Sequence, residues 1–419
     1  MKIDISKTAC FLLCVISLSW FIPHFYNKAM KADRFQISGF FSPVLKEFIM
    51  LEIGIDNMVY KDENDNVMSA FAAQKNLPFI FAGNIEKWGG FPIETDDGLI
   101  TYEFAANSLR TAKAIPSDVL AQKLPLHILY ESAPLGISLE IPPDILSIKA
   151  DRLVFINCAN GTVNEEKSKS FTEALNSAGV IFPIQNAAVN PSILKPFDEG
   201  MFFIDSANRL FQLKITEGSP FIKDMNISIN EKVLYMEVDE NFKKIFYGII
   251  VTENSIYLNM YESGLQKLPL TDYNPKTDVI TGRFTPFYQT ITKRDLSVVN
   301  SPMQFAAADK NFDIVRKHER YLPQSIIKKR DYIAYGLSFL APFYLTQFSY
   351  YSNEVLFKIA PAPHLIFAFL GIVFAQILYF CIAFGTKRKL DPFAIFAICF
   401  TGFFGLIASL IFSPIKGRS

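Results

Sequence analysis

Residue types that commonly perform chemistry are few and scattered in this sequence. There are four histidines. His24 and His364 flank apolar segments, His127 lies in the apolar stretch PLHILY, and His318 lies among charged residues. None is followed by a second ligand at the short spacing that zinc sites use, so no zinc site is predicted. We interpret His127 as a buried or strand histidine and His318 as part of a solvated face.

The cysteines do not indicate a reactive centre. Four of the five, Cys10, Cys14, Cys381 and Cys399, lie in long apolar segments, and only Cys158 lies in the region between them. A disulfide within that region of one chain is therefore impossible. Cys158 follows the strand-like VFIN and has no base nearby in sequence, so we predict a buried core thiol and not a nucleophile.

One acidic stretch invites comparison with a calcium loop. In KDENDNV, Lys61 to Val67, the residues Asp62, Asn64 and Asn66 alternate as calcium ligands do, but the glycine at position six and the distal glutamate are missing. A polar hairpin turn explains the stretch without a metal, and TDDG, Thr95 to Gly98, also indicates a turn. With no phosphate-binding glycine loop and no GxSxG motif, the sequence predicts no catalytic residue, no cofactor-binding residue, no metal ligand and no cofactor.

Composition separates the chain from nucleic-acid-binding proteins and from ordinary soluble ones. Its 419 residues include 41 basic and 41 acidic side chains, which gives a formal net charge of zero. Nucleic-acid binding needs a clustered basic surface, so no nucleic-acid partner is predicted. Half of the residues are hydrophobic and the mean hydropathy is +0.21. Part of the chain is therefore expected to lie in membrane lipid.

Three segments carry this excess of apolar residues: Thr8 to Tyr26, His364 to Gly385 and Pro392 to Phe412. Each is about long enough to cross roughly 30 Å of hydrocarbon at 1.5 Å per residue. The first has a charged start but no small-x-small cleavage site after it, so we predict an uncleaved anchor. The last two contain no charged side chain within their apolar cores, which argues against a conducting permease.

These segments divide the chain into an N-terminal membrane anchor (1–27), an exported β domain (28–360) and a C-terminal transmembrane helical hairpin (361–419). The hairpin loop, 385–391, holds Lys387, Arg388 and Lys389, and basic loops of this kind stay in the cytoplasm. We therefore expect a protein of the bacterial inner membrane, with the N-terminus and the 385–391 loop in the cytoplasm and the large domain in the periplasm.

A fourth span over Tyr332 to Tyr351 would reverse this topology. Pro342, Gly336 and the polar residues that follow them argue against a span. We expect two strands there instead, which agrees with a repeat found upstream.

The repeat consists of strand pairs at intervals of 41 to 48 residues. Short turns separate the two members of each pair. A hairpin repeated at such a period is typical of a β-propeller blade, whereas an evenly spaced β-sandwich is the alternative. The first strands are MFFID from Met201, FYGII from Phe246, FYQTI from Phe287 and YGLSF from Tyr335, and their partners are RLFQLKI from Arg209, SIYLNMY from Ser255, DLSVVNS from Asp295 and FYLTQFS from Phe343.

Weaker signals extend the pattern upstream. LVFIN from Leu153 is one interval before Met201, and MVYKD at Met58 is followed by NVMSA. Closure of a propeller would bring the region near Phe35 towards the region near Asn353. The fold class predicted is thus a mainly β exported domain, propeller-like with inserted helices, plus three transmembrane α-helices.

Helices interrupt the strands at three places. The firmest lies within Thr162 to Gly179, where Thr162 and Glu165 form a capping box and Phe171 lies on the apolar face. Shorter helices are predicted over Met68 to Asn76 and Ser117 to Leu124.

The stretches NEEKSKSFTEALNSAGVIFPIQNAAVNPS, KPFDEGMFFIDSANRLFQLK and TKRKLDPFAIFAICFTGFFGLIA carry a resemblance. The chain resembles an uncharacterised family of Bacteroidota membrane proteins, classed as a domain of unknown function, over nearly its whole length. The genes of such proteins often lie beside those for an ABC transporter ATPase and permease. The resemblance therefore implies these two as possible partners, and it implies no site residues.

Two hypotheses for function follow from these observations. The first is a non-enzymatic, membrane-anchored periplasmic accessory or interaction subunit, possibly associated with an ABC transporter. The alternative is an envelope ligand sensor or enzyme whose site lies in the propeller channel. Broad faces that bind partners without a reaction favour the first.

Overall fold

The computed structural model of the protein describes residues 5–30, 35–54, 57–121, 124–298, 300–347, 357–387 and 389–412. The chain forms two compact units. We call Met1–Ser38, Leu51–Val59 and Tyr321–Ser419 the helical unit, and Gly39–Met50 with Tyr60–Arg320 the sheet unit.

Most of the regular structure is β-strand. In chain order the strands are β1 Gln36–Phe41, β2 Phe48–Ile53, β3 Met58–Lys61, β4 Val67–Met68, β5 Ile93–Thr95, β6 Gly98–Ile100, β7 Arg110–Ala114, β8 Leu126–His127, β9 Asp144–Ile148, β10 Leu153–Asn157, β11 Val163–Asn164, β12 Asn186–Ala188, β13 Met201–Ile204, β14 Arg209–Thr216, β15 Ser219–Ser228, β16 Val233–Val238, β17 Phe246–Thr252, β18 Ile256–Met260, β19 Gly264–Lys267, β20 Asp278–Phe284, β21 Gln289–Asp295, β22 Met303–Ala308, β23 Ile314–Arg320, β24 Phe343–Gln347 and β25 Phe357–Pro361.

The helices lie at both ends of the chain and between some of the strands. In chain order they are α1 Ile5–Met30, α2 Ala70–Lys75, α3 Ala82–Lys87, α4 Tyr102–Ala105, α5 Pro116–Leu120, α6 Glu165–Ser177, α7 Gln324–Leu340, α8 Leu365–Gly385, α9 Pro392–Thr401 and α10 Phe403–Phe412.

The strands form several small sheets whose pairings are antiparallel. Sheet I has the order β1-β2-β3-β4, sheet II β11-β10-β9-β8, sheet III β12-β13-β14-β15, and sheet IV β16-β17-β18-β19. Sheet V has five strands, β23-β22-β21-β20-β7, and β5-β6 and β24-β25 are separate hairpins. Most neighbours are consecutive in sequence, so local hairpins account for most of the pairing.

Strands buried on both faces explain the continuous apolar runs in the sequence. In β13, Met201 and Phe203 belong to the core shared with sheet II, whereas Phe202 and Ile204 belong to the core shared with sheet IV. Because successive side chains of a strand point to opposite faces, such a strand needs apolar residues at every position. The run FYGIIVT of β17 follows the same logic and is buried throughout.

Aromatic rings join neighbouring sheets. Phe202 of sheet III lies 4.9 Å from Tyr247 of sheet IV, between ring centroids. Phe246 of sheet IV lies 5.5 Å from Phe284 of sheet V. Phe48 lies 6.0 Å from Phe305, which joins sheet V to sheet I. Edge and tilted contacts at these distances contribute about 0.5–1.5 kcal/mol beyond the burial of area.

The predicted hairpin repeat is confirmed in its central part. The strands predicted from Met201, Arg209, Phe246 and Ser255 are β13, β14, β17 and β18. In the turn between β13 and β14, Asp205 Oδ1 accepts hydrogen bonds from the backbone of Ala207 and Arg209. The upstream strands predicted at Leu153, Met58 and NVMSA are β10, β3 and β4.

The later part of the repeat is wrong in two places. The segment predicted as a strand from Asp295 begins at the last residue of β21, and Lys293 and Arg294, predicted as a turn, lie inside that strand. YGLSF from Tyr335 belongs to α7, in which Ile333 and Leu337 are buried one helical turn apart. FYLTQFS from Phe343 does start a strand, β24, but its partner is β25.

The prediction of a mainly β domain is confirmed, but that of a propeller is not. In the described part of the chain the small antiparallel sheets do not form a closed barrel or propeller. Strand β1, near Phe35, pairs within sheet I. The other side of the predicted closure, near Asn353, falls in 348–356, which lies outside the described residues.

The inserted helices are confirmed with changed ends. Helix α6 buries Phe171 and Leu175 as predicted, but its N-cap is Asn164, whose side chain accepts a hydrogen bond from the Lys167 backbone, and not Thr162. Asparagine satisfies a free N–H of the first turn as well as threonine does, and it stands nearer to the helix. Helices α2 and α5 occupy parts of the other two predicted segments.

In the helical unit, α1 and α8 are long and apolar enough to cross a membrane, by length and composition alone. The third predicted span is not one helix. It is α9 and α10, ten residues each, separated at Gly402. Gly402 has a φ of +59°, and a Cβ there would lie 2.9 Å from the Leu340 carbonyl oxygen. A left-handed residue ends an α-helix, and glycine adopts that conformation without strain.

The segment weighed as a fourth span is also resolved into other elements. From Tyr332 the chain completes α7, ends that helix before Pro342 and enters β24, which runs to Gln347, and the rest of the segment, 348–351, lies outside the described residues. The residue before a proline disfavours helical backbone, and Ala341 is extended, with φ −161° and ψ 153°.

A glycine in sheet IV tests how closely its strands pack. Gly248 has a φ of +154°, and a Cβ there would lie 1.8 Å from the Glu237 carbonyl oxygen on the paired strand. We expect Gly248→Ala to lower the free energy of unfolding by more than about 3 kcal/mol, through clash and backbone strain. Gly83→Ala, on α3 with no atom within 4 Å of the added Cβ, is the control and should stay within about 1 kcal/mol of the wild type.

Chemical denaturation of the detergent-solubilised protein measures both variants. Equal stability of the two would show that β16 and β17 can separate without cost, contrary to the packing described here.

Candidate functional site

Three loops of the sheet unit meet at one group of charged side chains. The first loop, 128–143, joins β8 to β9, the second, 189–200, joins β12 to β13, and the third, 239–245, joins β16 to β17. Each follows the end of a strand, so sheets II, III and IV set where the loops begin.

The centre of the group is the ammonium of Lys195, in the second loop. Its side chain is 2% exposed. The Nζ atom donates to a carboxylate oxygen of Asp198, to Glu240 Oε1 at 3.1 Å and to the Asn190 carbonyl oxygen at 2.9 Å. It also lies 4.7 Å from the centroid of the Tyr130 ring. A lysine has three N–H donors, and all three have acceptors here.

The first loop is fixed to the second through the same group. Asp198 Oδ2 accepts a hydrogen bond of 2.6 Å from the Ser132 hydroxyl. The Tyr130 hydroxyl donates to the Pro191 carbonyl oxygen at 2.7 Å. Asp198 thus accepts hydrogen bonds both from the ammonium of Lys195, in its own loop, and from the hydroxyl of Ser132, in the first loop.

Glu199 connects this group to sheets III and IV. Its backbone N–H donates to Glu240 Oε1 at 3.2 Å. Its Oε2 accepts from Gln212 Nε2 at 2.9 Å and lies 2.5 Å from Lys214 Nζ. Its Oε1 accepts from the Tyr261 hydroxyl at 3.2 Å. Side chains from β14 and from the residue that follows β18 therefore hold the base of the second loop.

At the edge of the group, the third loop contributes a further cation. Lys244 Nζ lies 4.0 Å from Glu199 Oε1 and 4.5 Å from the centroid of the Phe197 ring. We call the whole set the lysine network. Its ionic members are three carboxylates and three ammoniums: Asp198, Glu199, Glu240, Lys195, Lys214 and Lys244.

Burial shifts the titration of several members of the lysine network. Burial raises the pKa of Glu240, and the opposing effect of Lys195 is smaller. Burial, with a second contribution from the charge of Glu199, also raises the pKa of Tyr261 and of Tyr247 well above their ordinary values. The rings of these two tyrosines stack with centroids 3.7 Å apart. Both phenols are therefore protonated at physiological pH.

The lysine network suits a structural role better than a catalytic one. Its charges balance, and the Lys195 donors are all occupied. A lysine acting as a nucleophile or base needs a free amine, whereas each donor of the Lys195 amine already has an acceptor. The arrangement can instead hold three loops in fixed positions.

Around the lysine network, the loops carry apolar side chains into solvent. Leu135 and Ile137 of the first loop are fully exposed, and Leu194, next to Lys195, is 91% exposed. We call the following set the apolar loop surface: Leu135, Ile137, Ile141, Leu194 and Phe242. Clustered exposed apolar residues on a folded protein commonly mark a surface that binds a partner.

Comparison with known proteins gives one family. The family model described as Domain of unknown function (DUF4857) matches residues 38–302. The chain belongs to this family. No curated protein matches the chain. The resemblance to a domain of unknown function is thereby confirmed, over 38–302 instead of nearly the whole chain.

The matched DUF4857 region contains every loop of the lysine network. It runs from β1 to the turn before β22, so it takes in sheets I to IV and part of sheet V. Helices α7 to α10 lie beyond its end.

The predictions for His127 and His318 have different outcomes. His127 lies in β8 and is half-buried, which confirms a strand histidine. His318 follows the DUF4857 region, in β23. It is half-buried with its ring 6.2 Å from that of Phe48, so its assignment to a solvated face is wrong. The alternation of β23 turns His318 towards Phe305, its register partner.

Cys158 is exposed, which makes the prediction of a buried core thiol wrong. It follows the last residue of β10, where the chain leaves the sheet. The thiol therefore lies in a surface turn.

The polar turn predicted from Asp62 is confirmed. Asp62 Oδ1 accepts from the backbone of Asn64 and of Asn66, at 2.8 and 2.9 Å. The carboxylate that would bind calcium is thus used to close the β3–β4 hairpin. Thr95 to Gly98 is the turn of the β5–β6 hairpin. Across the described ranges, no three His, Cys, Asp or Glu side chains are grouped as metal ligands.

Sequence reasoning missed the lysine network. Lys195 and Asp198 lie three positions apart in KPFDEG, which is a visible signal, but Glu240 is 45 residues from Lys195. Nothing in the local pattern shows that the third loop folds back onto the second.

Removal of the central ammonium tests whether the lysine network holds the loops. We expect Lys195→Met to lower the free energy of unfolding by about 3–5 kcal/mol, because Asp198 and Glu240 would stay buried without a counter-charge. Lys169→Met is the matched control. It breaks an ion pair on α6 whose side chains are 76% and 65% exposed, and it should change stability by less than about 0.5 kcal/mol.

Denaturant titration of both variants provides the measurement. If Lys195→Met matched the control, the ammonium would not be what fixes the loops.

Proposed function

We propose that the protein is a non-enzymatic, membrane-anchored interaction subunit, whose partner docks on the apolar loop surface. The observation that carries this proposal is that the three loops which hold these exposed apolar side chains are also the loops joined by the lysine network. A surface held rigid before binding loses less conformational entropy when a partner arrives.

The chemistry of the site supports an interaction role. Buried charges that are fully paired fix geometry and leave no reactive group. Exposed leucine, isoleucine and phenylalanine side chains gain free energy when a partner covers them, about 25 cal/mol for each Å² removed from water. Leu135 and Ile137 are both fully exposed and only two residues apart.

The partner is proposed from the resemblance stated above. An ABC transporter permease, with its ATPase on the far side, is the expected partner, and we propose the bacterial inner membrane as the location. Helices α1 and α8 support anchoring, since both have the length and composition of spans. In this proposal the DUF4857 domain is periplasmic, and the N-terminus and the 385–391 loop are cytoplasmic. The ligand-sensor or enzyme alternative placed its site in a propeller channel, and the described sheets form no closed channel.

The apolar loop surface can be tested directly with substitutions that spare the fold. We expect Leu135→Ser combined with Ile137→Ser to leave the melting temperature unchanged, since both side chains are fully exposed. Recovery of the permease and ATPase with a tagged copy from native membranes in mild detergent should fall at least about tenfold. Val67→Ser removes a 72% exposed side chain at the start of β4 and should leave recovery unchanged.

Quantitative mass spectrometry of the co-purified proteins reads out this experiment. A wild-type protein recovered alone in several mild detergents would refute the transporter partner. Equal recovery with the loop variant and the wild type would refute the surface.

Cys158 offers a test of membrane topology, because its thiol is exposed. In a variant whose four other cysteines are replaced by alanine, we expect a membrane-impermeant maleimide to label Cys158 in intact spheroplasts. In the same background with Cys158→Ser and Lys387→Cys, labelling should appear only after the membrane is permeabilised. The reverse pattern would place the DUF4857 domain in the cytoplasm.

A further inference from the structure

Arg283, in the middle of sheet V, is a cation withdrawn from water without a counter-charge. It lies on β20 and is half-buried. Its guanidinium lies 4.7 Å from the centroid of the Phe40 ring. Its one hydrogen bond is a long contact of 3.5 Å from Nη1 to the Gly39 carbonyl oxygen.

The electrostatics of Arg283 differ from those of Lys195. Burial alone lowers the pKa of Arg283, and no charged neighbour raises it. Among the described residues, no carboxylate lies within the 4.0 Å of an ion pair with it. A guanidinium carries five N–H donors in a planar fork, so four of them have no acceptor among the described residues. Stacking on Phe40 offsets part of the desolvation cost, at about 0.5–2 kcal/mol.

Strand register places three further polar side chains on the same face as Arg283. Arg283 pairs with Thr111 of β7, and Thr281 pairs with Lys113. Side chains of directly paired residues share a face, and so do residues two apart. Arg283 and Lys113 are therefore diagonal neighbours on one face, and the Cα atoms of such neighbours lie about 7–8 Å apart.

This corner is open to ligands from one side. Strand β7 is at the edge of sheet V, and Thr111 and Lys113 are exposed. Within the described residues, Lys113 makes no ion pair. A fork donor, a second cation and two hydroxyls thus line one face, with the Phe40 ring as an apolar wall.

We propose that this corner, formed by Arg283, Lys113, Thr111 and Thr281, binds the phosphate group of a small ligand or of a lipid headgroup. The planar fork of arginine matches the tetrahedral edge of a phosphate with two parallel hydrogen bonds. Lysine adds a point charge, and the threonine hydroxyls supply donors without further charge. A bound phosphate would give Arg283 the counter-charge that the described part of the chain does not provide. This inference does not depend on the proposed partner.

Inorganic phosphate is the first probe, with the full-length protein in a non-ionic detergent. At constant ionic strength, we expect phosphate but not chloride to raise the melting temperature saturably. Titration calorimetry should show one site. Arg283→Lys, which keeps the charge but loses the fork, should weaken phosphate binding at least about tenfold, and Lys113→Met about threefold or more. Lys310→Met, an exposed lysine in the β22–β23 turn of the same sheet, should have no effect.

Exposed positions keep the test decisive where Arg283 variants fold poorly. Thr111→Val and Lys113→Met change exposed side chains, and both should weaken binding while leaving the phosphate-free melting temperature unchanged. Absence of saturable phosphate binding to the wild type, together with no protection in the lipid discs described next, would overturn the proposal. Binding that Arg283→Lys, Lys113→Met and Thr111→Val all leave unchanged would also overturn it.

A second arm separates the two sources of the phosphate group. The protein is reconstituted into nanodiscs of phosphatidylglycerol or of phosphatidylcholine, and the free energy of unfolding is compared between wild type and Lys113→Met. Protection by the anionic lipid that is lost in Lys113→Met identifies a headgroup. Equal behaviour in both lipids, with inorganic phosphate still bound, identifies a soluble ligand.

Discussion

The burial of a single ammonium, that of Lys195, is the constraint on which the functional surface depends. Removing a charge from water costs several kcal/mol unless its donors are satisfied and its charge is balanced. The acceptors for Lys195 come from two loops, with Asp198 and Asn190 in its own and Glu240 in another. The first loop, 128–143, is joined to them through Ser132, whose hydroxyl donates to Asp198. The three loops that carry the exposed apolar side chains are therefore joined to one another at this group.

The sheets supply the platform that makes such a constraint possible. Strands β13 and β17 bury both faces, so each central sheet is packed between two neighbours. Packing of this kind leaves the strand ends at fixed positions, and the loops start there. Gly248 shows how close the strands approach, since an added Cβ would meet the Glu237 carbonyl oxygen at 1.8 Å.

Two partly or fully buried cations in the sheet unit show opposite solutions to the same problem. Each N–H donor of Lys195 has an acceptor within the chain, so the ammonium has no donor left for a ligand and serves to hold the loops. Arg283 has an aromatic ring and one long hydrogen bond, and the strand register places Lys113 on the same face of sheet V. Both side chains are basic and withdrawn from water, but only the N–H donors of Lys195 all have acceptors. This difference is why we assign Lys195 a structural role and propose a binding role for Arg283.

Several strands and helices could be predicted from the sequence alone, because the residues that define each of them are neighbours in the chain. Unbroken apolar runs with polar turns between them identified β13, β14, β17 and β18, and the spacing of Phe171 and Leu175 identified α6. Apolar length identified α1 and α8. Tertiary structure decided the rest, because the relevant partners are distant in sequence. YGLSF is equally apolar as strand or helix, and the burial of Ile333 and Leu337 selected the helix. One of the two counter-charges of Lys195, Glu240, lies 45 residues away in sequence. One of the two strands paired with the strand of Arg283 is β7, which is far from it in sequence. Charge pairing and strand order depend on contacts between residues that are distant in sequence, so they cannot be predicted from local sequence patterns.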